Sequence, residues 1–378
     1  MAHKIEELDV VAVRKMAGDG TVRPNAWHSL EKSVFGDLTP EEFAAECGMN
    51  HKVVQLPVYV HGKTAKLDPK HKALVHSRTG EILDVVSDTY QVVQPREMVE
   101  MMGGVCREMN AKMDTGGTLR NGKVGFLSAE LPLKYSIKGR NGEADNHTMF
   151  VLVSTGWLDG YATQVDINDI RAVCDNTTTA SREMLVVEGQ SGRYRQNHRT
   201  PFGLKQQGLA LDTIKSAEQA MAKFESGFQR MTSTNANREE QEALVLAMLQ
   251  PELAAKAIEQ QVGNSSLLDT IVVAGTTQRA ERGVMLLDSI LNMDAELKAQ
   301  RDRSVKVVME LLDQQPGAGL TFGSAAHAYN AVTYWTDHIR GRGEQTRQDS
   351  SLLGDSRLLK QKAWDLALDL CYALEARA

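Results

Sequence analysis

The chain has 378 residues, 42% hydrophobic and 24% charged, with a formal net charge of −6 at pH 7. This length exceeds one small core and favours two domains, and the composition is that of an ordinary globular protein, which excludes disorder as the main state. The acidic balance excludes coating of nucleic acid through overall charge, so a polyanion site has to be a local basic strip.

Four cysteines, Cys47, Cys106, Cys174 and Cys371, are scattered without a C-x-x-C pair. Buried free thiols in a reducing compartment are expected. No run approaches the roughly 20 apolar residues of a membrane span, and Met1–Glu7 holds no apolar core of signal-peptide type. A cytoplasmic location without a membrane partner is expected.

The first 38 residues read as an N-terminal tail, with Trp27–Leu30 as a docking tetrad. Thr39-Pro-Glu-Glu42 has the spacing of a capping box with Pro at the first helical position, which predicts a short helix from Pro40 to Cys47, ended by Gly48. Strand patterns follow at Val53–Val60, Ala73–Ser77, Ile82–Val86 and Tyr90–Val93, with Arg78–Gly80 as a hairpin turn. Together they predict a small antiparallel meander. Its connection, Gly62–Lys72, holds Lys63, Lys66, Lys70, His71 and Lys72 against a single Asp68, a basic patch that at a loop tip is more often just solvated.

Pro95 opens a helix on which Met98, Met102, Val105 and Met109 recur at helical spacing. Gly116-Gly117 breaks the chain, Asn121-Gly122 turns it, and Lys123–Tyr135 reads as a long strand whose Pro132 points to an edge or bulge. After Asn141-Gly142 comes a strand at His147–Val153. A helix is then predicted over Asn168–Val187. Its apolar side would carry Ile170, Val173, Cys174, Thr177, Ser181 and Met184, and its free polar stripe Arg171, Asp175, Thr178 and Arg182.

Beyond residue 208 the pattern is helical. Asn237–Glu240 is a capping box, Gln278–Met293 and Glu296–Leu312 are amphipathic, residues 314–319 form a breaker, and Ser324 and Asp355 can cap two last helices. Between those two lies a basic loop, Arg340–Arg347. The fold class is therefore α+β: antiparallel strand hairpins backed by helices, followed by a mostly helical C-terminal domain. The expected organisation is a tail (1–38), an α+β core (39–208) and a helical domain (209–378).

From Gly189 to Leu211 there is no Asp or Glu, while Arg193, Arg195, Arg199 and Lys205 alternate with Tyr194, His198 and Phe202. Cations mixed with rings suit a polyanion that also offers flat faces. The same composition fits a solvated loop with snorkelling arginines. Lys134, Lys138 and Arg140 add positive charge toward one hairpin end. No phosphate-binding loop, dinucleotide fingerprint or zinc spacing is present, so no cofactor or metal is expected. Cys174, Asp175 and His198 could form a nucleophile with its base, although Cys174 on the apolar side of a helix reads better as an unreactive core thiol.

At Arg171-Ala-Val-Cys-Asp-Asn-Thr177 and Asn197-His-Arg-Thr200 the chain resembles the phage/plasmid-like protein family, catalogued as domain of unknown function nine-three-two. That family carries an R-x-V-C-x-N-T element followed by R-H-T. Trp27-His28, Tyr329-Asn-Ala-Val-Thr333, His338 and Gly354 extend the resemblance over most of the chain. His198 and Arg199 are inverted relative to R-H-T, so the motif implies no role for either. The resemblance implies a bacterial mobile-element protein and supplies no activity.

The architecture is similar to that of phage single-strand annealing proteins. A non-catalytic, homo-oligomeric single-stranded DNA-binding protein of the annealing type is therefore expected, with a mobile-element exonuclease or a host single-strand-binding protein as further partners. Arg171 and Arg182 would border the groove, Arg193, Arg195 and Arg199 would meet phosphates, and Tyr194 would stack on a base. His198, Lys134 and Lys138 complete the expected nucleic-acid-binding set. The alternatives are an interaction factor acting on a host defence or replication protein, and a thiol-dependent enzyme centred on Cys174.

Overall fold

The computed structural model describes residues 10–14, 32–35, 38–171, 176–179, 194–262, 276–341, 350 and 354–377. The capping spacing at Thr39 is realised: its hydroxyl accepts the Glu42 N–H at 3.2 Å and the Glu42 carboxylate accepts the Thr39 N–H at 2.9 Å. This starts α1 (Pro40–Glu46), and a second capping box at Gln94 starts α2 (Pro95–Met109).

The strands are β1 (Val10–Arg14), β2 (Lys32–Phe35), β3 (Val53–His61), β4 (Ala65–His76), β5 (Ile82–Ser87), β6 (Lys112–Leu119), β7 (Val124–Lys138), β8 (Ala144–Gly156), β9 (Thr163–Arg171), β10 (Asn176–Thr179) and β11 (Tyr194–Gln196). The larger sheet has the order β10-β9-β8-β7-β6-β1-β2, with β11 also on β9, and the smaller sheet is β3-β4-β5. β1 pairs parallel with β2, and the β1–β6, β6–β7, β9–β11, β3–β4 and β4–β5 ladders are antiparallel. The helices that follow are α3 (Leu204–Lys215), α4 (Ala217–Ser233), α5 (Arg238–Leu249), α6 (Pro251–Val262), α7 (Thr276–Leu291), α8 (Ala295–Lys298), α9 (Arg303–Leu311), α10 (Ala318–Thr321) and α11 (Ala325–Tyr334). A π-helical turn at Trp335–Ile339 and α12 (Asp355–Arg377) complete them. The protein is thus α+β, with antiparallel hairpins first and a mostly helical C-terminal part.

The chain divides into two compact units. The first comprises Met1–Leu133, Thr148–Asn168 and Met184–Ala220. Its core is made of Phe43, Met98, Met102, Val105, Phe126 and Trp157, all buried. The predicted methionine stripe is therefore core from Met98 to Val105, with Met109 half-buried. Trp157 lies so close to β7 that a Cβ on Gly125 would meet its ring at 2.7 Å, and the indole N–H donates to Val93 O at 2.8 Å. Only glycine leaves room for that ring.

The second unit comprises Lys134–His147, Asp169–Glu183 and Met221–Ala378. Its aromatic core joins Phe224, Phe228, Tyr329 and Trp364 at ring separations of 4.9–5.8 Å. Arg140, beside the Asn141-Gly142 turn, donates to Thr232 O at 2.7 Å, Ser233 O at 3.2 Å and Asn235 Oδ1 at 2.9 Å. A residue read as part of a basic surface instead ties a hairpin to the carbonyls that end α4.

Several expectations are corrected. Over 168–187 the described residues form strand, not helix: β9 runs to Arg171 and β10 covers Asn176–Thr179. All nine residues of β9 are buried. A strand covered on both faces loses the alternation of polarity that betrays a strand, and scattered apolar hits then imitate a helix. The β-branched density of Ile167, Ile170 and Thr177–Thr179 was the better signal. In the stretch read as a tail, Val10–Ala12 of β1 pairs antiparallel with β6, while the Trp27–Leu30 tetrad lies outside the described residues. Tyr90–Val93 is not a strand, and Tyr90 instead donates its hydroxyl to Gly156 O at 2.6 Å. Residues 296–312 split into α8 and α9, with the Asp302 N–H donated to Gln250 Oε1 at 2.8 Å. Pro132 lies beyond Glu130, the last β7 residue paired with β6, so it removes no bond from that ladder.

Candidate nucleic-acid interface

Gly62–Lys72, read as a loop, is mostly strand: β4 begins at Ala65 and makes with β3 one long hairpin. Its root is clamped. Gln94 Oε1 accepts the Val53 N–H at 3.0 Å while Gln94 Nε2 donates to Val53 O at 2.9 Å, and Gln55 Nε2 donates to Tyr90 O at 2.8 Å. Leu74, Leu83 and Val86 bury the underside of the root. From Val54 to Lys72 no residue is buried, so the distal part of the hairpin is an arm in water.

The arm changes register where Pro57 faces Lys72 and Val58 faces Asp68, which leaves Pro69–His71 as extra residues on β4. Proline has no N–H to offer a ladder and is tolerated in a bulge. Asp68 fixes this one: it accepts the Lys70 N–H at 2.8 Å and lies 2.8 Å from His71 Nδ1. The Lys70 N–H and the His71 ring hold its carboxyl below the usual range. Asp68 is also the only Asp or Glu between Glu46 and Glu81, so Lys63, Lys66, Lys70 and Lys72 have no other local acid.

Successive strand residues face opposite ways, so Tyr59 and His61 share a face, with cross-strand partners Leu67 and Ala65. Tyr59 is 53% exposed and His61 is exposed. Two rings about 6.7 Å apart along one strand, flanked by lysines, make a platform on which bases can stack while phosphates meet ammonium groups.

The sequence-predicted ribbon is placed differently. Tyr194 and His198 are buried, Tyr194 in the ladder with Val165 and His198 stacked on Tyr90 at 4.5 Å. His198 Nδ1 lies 2.9 Å from Gln91 O, and burial lowers its pKa. Neither ring is available to a base. Arg195 and Arg199 are exposed and pair with no carboxylate among the described residues. Arg182, Arg193, Cys174 and Asp175 lie outside the described residues. Lys134 and Lys138 occupy exposed positions of β7 in the second unit.

Arg171 is the clearest correction. It is 1% exposed, and its Nε donates to both Asp145 oxygens at 2.8–2.9 Å. Its other end donates to Gly317 O at 3.3 Å. Beside it, His147 Nδ1 lies 2.8 Å from Asp169 Oδ2 and 3.1 Å from the Tyr135 hydroxyl, and the Tyr135 and His147 rings stack at 4.6 Å. Burial pushes the Tyr135 hydroxyl well above its ordinary range. Tyr135, Asp145, His147, Asp169 and Arg171 are each at most 7% exposed. A buried cation needs such partners, and having them it cannot line a groove.

A family model matches residues 82–363, three quarters of the chain. The chain belongs to the family described as Domain of unknown function (DUF932). No curated protein and no solved structure matches it. The DUF932 match includes Arg171 and α11, on which the resemblance rested, and α11 is buried from Ala325 to Thr333. It begins at Ile82, so β3 and β4 precede it.

Cys47 and Cys371 are buried, and burial pushes the thiols of Cys106 and Cys371 up to about 11 and about 12. Among the described residues no group of three His, Cys, Asp or Glu side chains is placed to hold a metal ion, and no helix is long and apolar enough to cross a membrane. Tyr59 and His61 were missed by sequence reasoning. The alternating Val58-Tyr-Val-His61 just before a lysine run was the signal that could have found them.

Proposed function

We propose that this protein binds single-stranded DNA without catalysis, and that the β3–β4 arm is its main contact. The carrying observation is the pair Tyr59 and His61, exposed on one face of a projecting hairpin that holds Lys63, Lys66, Lys70 and Lys72 against one internally bonded carboxylate. Bases would stack on the rings, and Lys63, Lys70 and Lys72 would take the phosphates, Lys66 lying on the opposite face. Exposed Arg195 and Arg199 can extend the phosphate contacts.

The test is anisotropy of a labelled poly-thymidine oligonucleotide with the full chain over a range of salt. Three lysine contacts give a log–log salt slope of about −2, from roughly −0.7 per contact on single strands. Tyr59→Ala removes one stacking surface and weakens binding by about 1–3 kcal/mol. Affinity that ignores salt, or Tyr59→Ala and His61→Ala variants that both bind like the parent, would refute the proposal.

A further inference from the structure

The opposite face of the same hairpin has a different character. The extra residues of the bulge are on β4, so β3 keeps its alternation and Val54, Leu56, Val58 and Val60 share one face. Through the ladders Ile82 (across from Val75) and Val85 (across from Ala73) join them. Val54 is 41% exposed, Leu56 46%, Val60 60%, Ile82 65% and Val85 45%. These residues expose on the order of 450 Å², within the roughly 300–600 Å² of the largest and often functional apolar patch of a typical monomer, and more than half of the roughly 800 Å² that one partner contributes to a standard interface.

We infer that this face packs against the same face of a second copy of the chain, the two small sheets forming a sandwich. Charge decides the occupant. At paired positions of the face the ionised side chains are Lys66, across from Val60, and Asp68, across from Val58. One cation beside one anion is its own complement under a twofold axis, where Lys66 of each copy meets Asp68 of the other. A basic, acidic or polyanionic partner would leave one of the two against like charge. Sheets whose inner faces are aliphatic pack in this way about 10 Å apart.

This inference does not rest on DNA binding, and its test contains no nucleic acid. Sedimentation of the full chain over a concentration series should show a reversible monomer–dimer equilibrium. Leu56→Asp and Val60→Asp, at exposed positions of the root and of the arm, should each give a monomer with an unchanged circular dichroism spectrum. Lys66→Asp should weaken the dimer at least about tenfold by setting like charges opposite one another. Tyr59→Ala, on the other face, should leave it intact. A second arm covers loss of fold: a bifunctional maleimide should cross-link Val60→Cys chains into dimers and leave Tyr59→Cys chains no more cross-linked than the parent. A parent that is monomeric at every concentration, or a dimer that survives both aspartate substitutions, overturns the inference.

Discussion

The projecting arm and the buried end of β9 both concentrate charge, and they use it in opposite ways. In the second unit Arg171 faces Asp145, and Arg140 is bonded to the carbonyls that end α4. In the arm four lysines share one carboxylate, which is already bonded to Lys70 N–H and held near His71. A cation is available to a partner only where the fold has not already given it one. Local charge density in a sequence does not report that, because the neutralising group can be far away in the chain, as Asp145 is from Arg171.

The largest effect that would break this comparison is at Arg171. Arg171→Ala leaves the buried Asp145 with only the His147 ring, 3.8 Å away, in place of its guanidinium partner, and should destabilise the fold by about 3–5 kcal/mol in urea or thermal unfolding. DNA affinity per folded molecule should stay the same. A strong loss of affinity with the fold intact would instead return Arg171 to the binding surface.

An intermediate effect is expected from pH at the root of the arm. Burial holds the His51 imidazole down at about 4, with repulsion from nearby His76 and Arg78 in the same direction. Between the ordinary histidine value near 6.5 and about 4 the unfolded chain therefore binds more protons than the folded one, so stability rises with pH across that window and is lost as pH falls through it. The urea midpoint should drop between pH 7 and pH 5, and less steeply in His51→Gln. Equal drops in the two proteins would remove His51 from the account.

The smallest effects sharpen the arm itself. Lys63→Ala and Lys70→Ala are surface changes, so their unfolding midpoints should match the parent within about 0.5 kcal/mol. Each should flatten the salt slope of DNA binding by roughly 0.7. Arg195→Ala and Arg199→Ala measure in the same way whether the 194–200 turn joins the contact. Unchanged slopes in these two would confine binding to the hairpin.

What could be read from the sequence follows from how much local chemistry each element carries. The capping boxes at Thr39 and Asn237, the Met98–Val105 stripe and the Asn141-Gly142 turn are decided within a few residues, and all are found. β9 was misread because its polar residues are matched by tertiary partners, Arg171 by Asp145 and Asp169 by His147. The arm was half read: its lysines stood out by composition, whereas Pro69 and the three-residue bulge hid the strand that carries them. Tyr194 and His198 looked like stacking surfaces because rings among arginines look alike in sequence whether the fold turns them in or out.

The bulge has a practical corollary. Pro57 and Lys72 are direct neighbours across the ladder, and none of the residues between them is buried. Residues 58–71 therefore form a removable cassette whose ends already meet, so a short turn could replace it at the cost of the His71–Ser87 rung and the Asp88 N–H bond to Lys70 O, while Val53, Leu74 and the Gln94 clamp stay in place. The protein can in principle be divided into a scaffold and its attachment with one deletion, without cutting through any buried side chain.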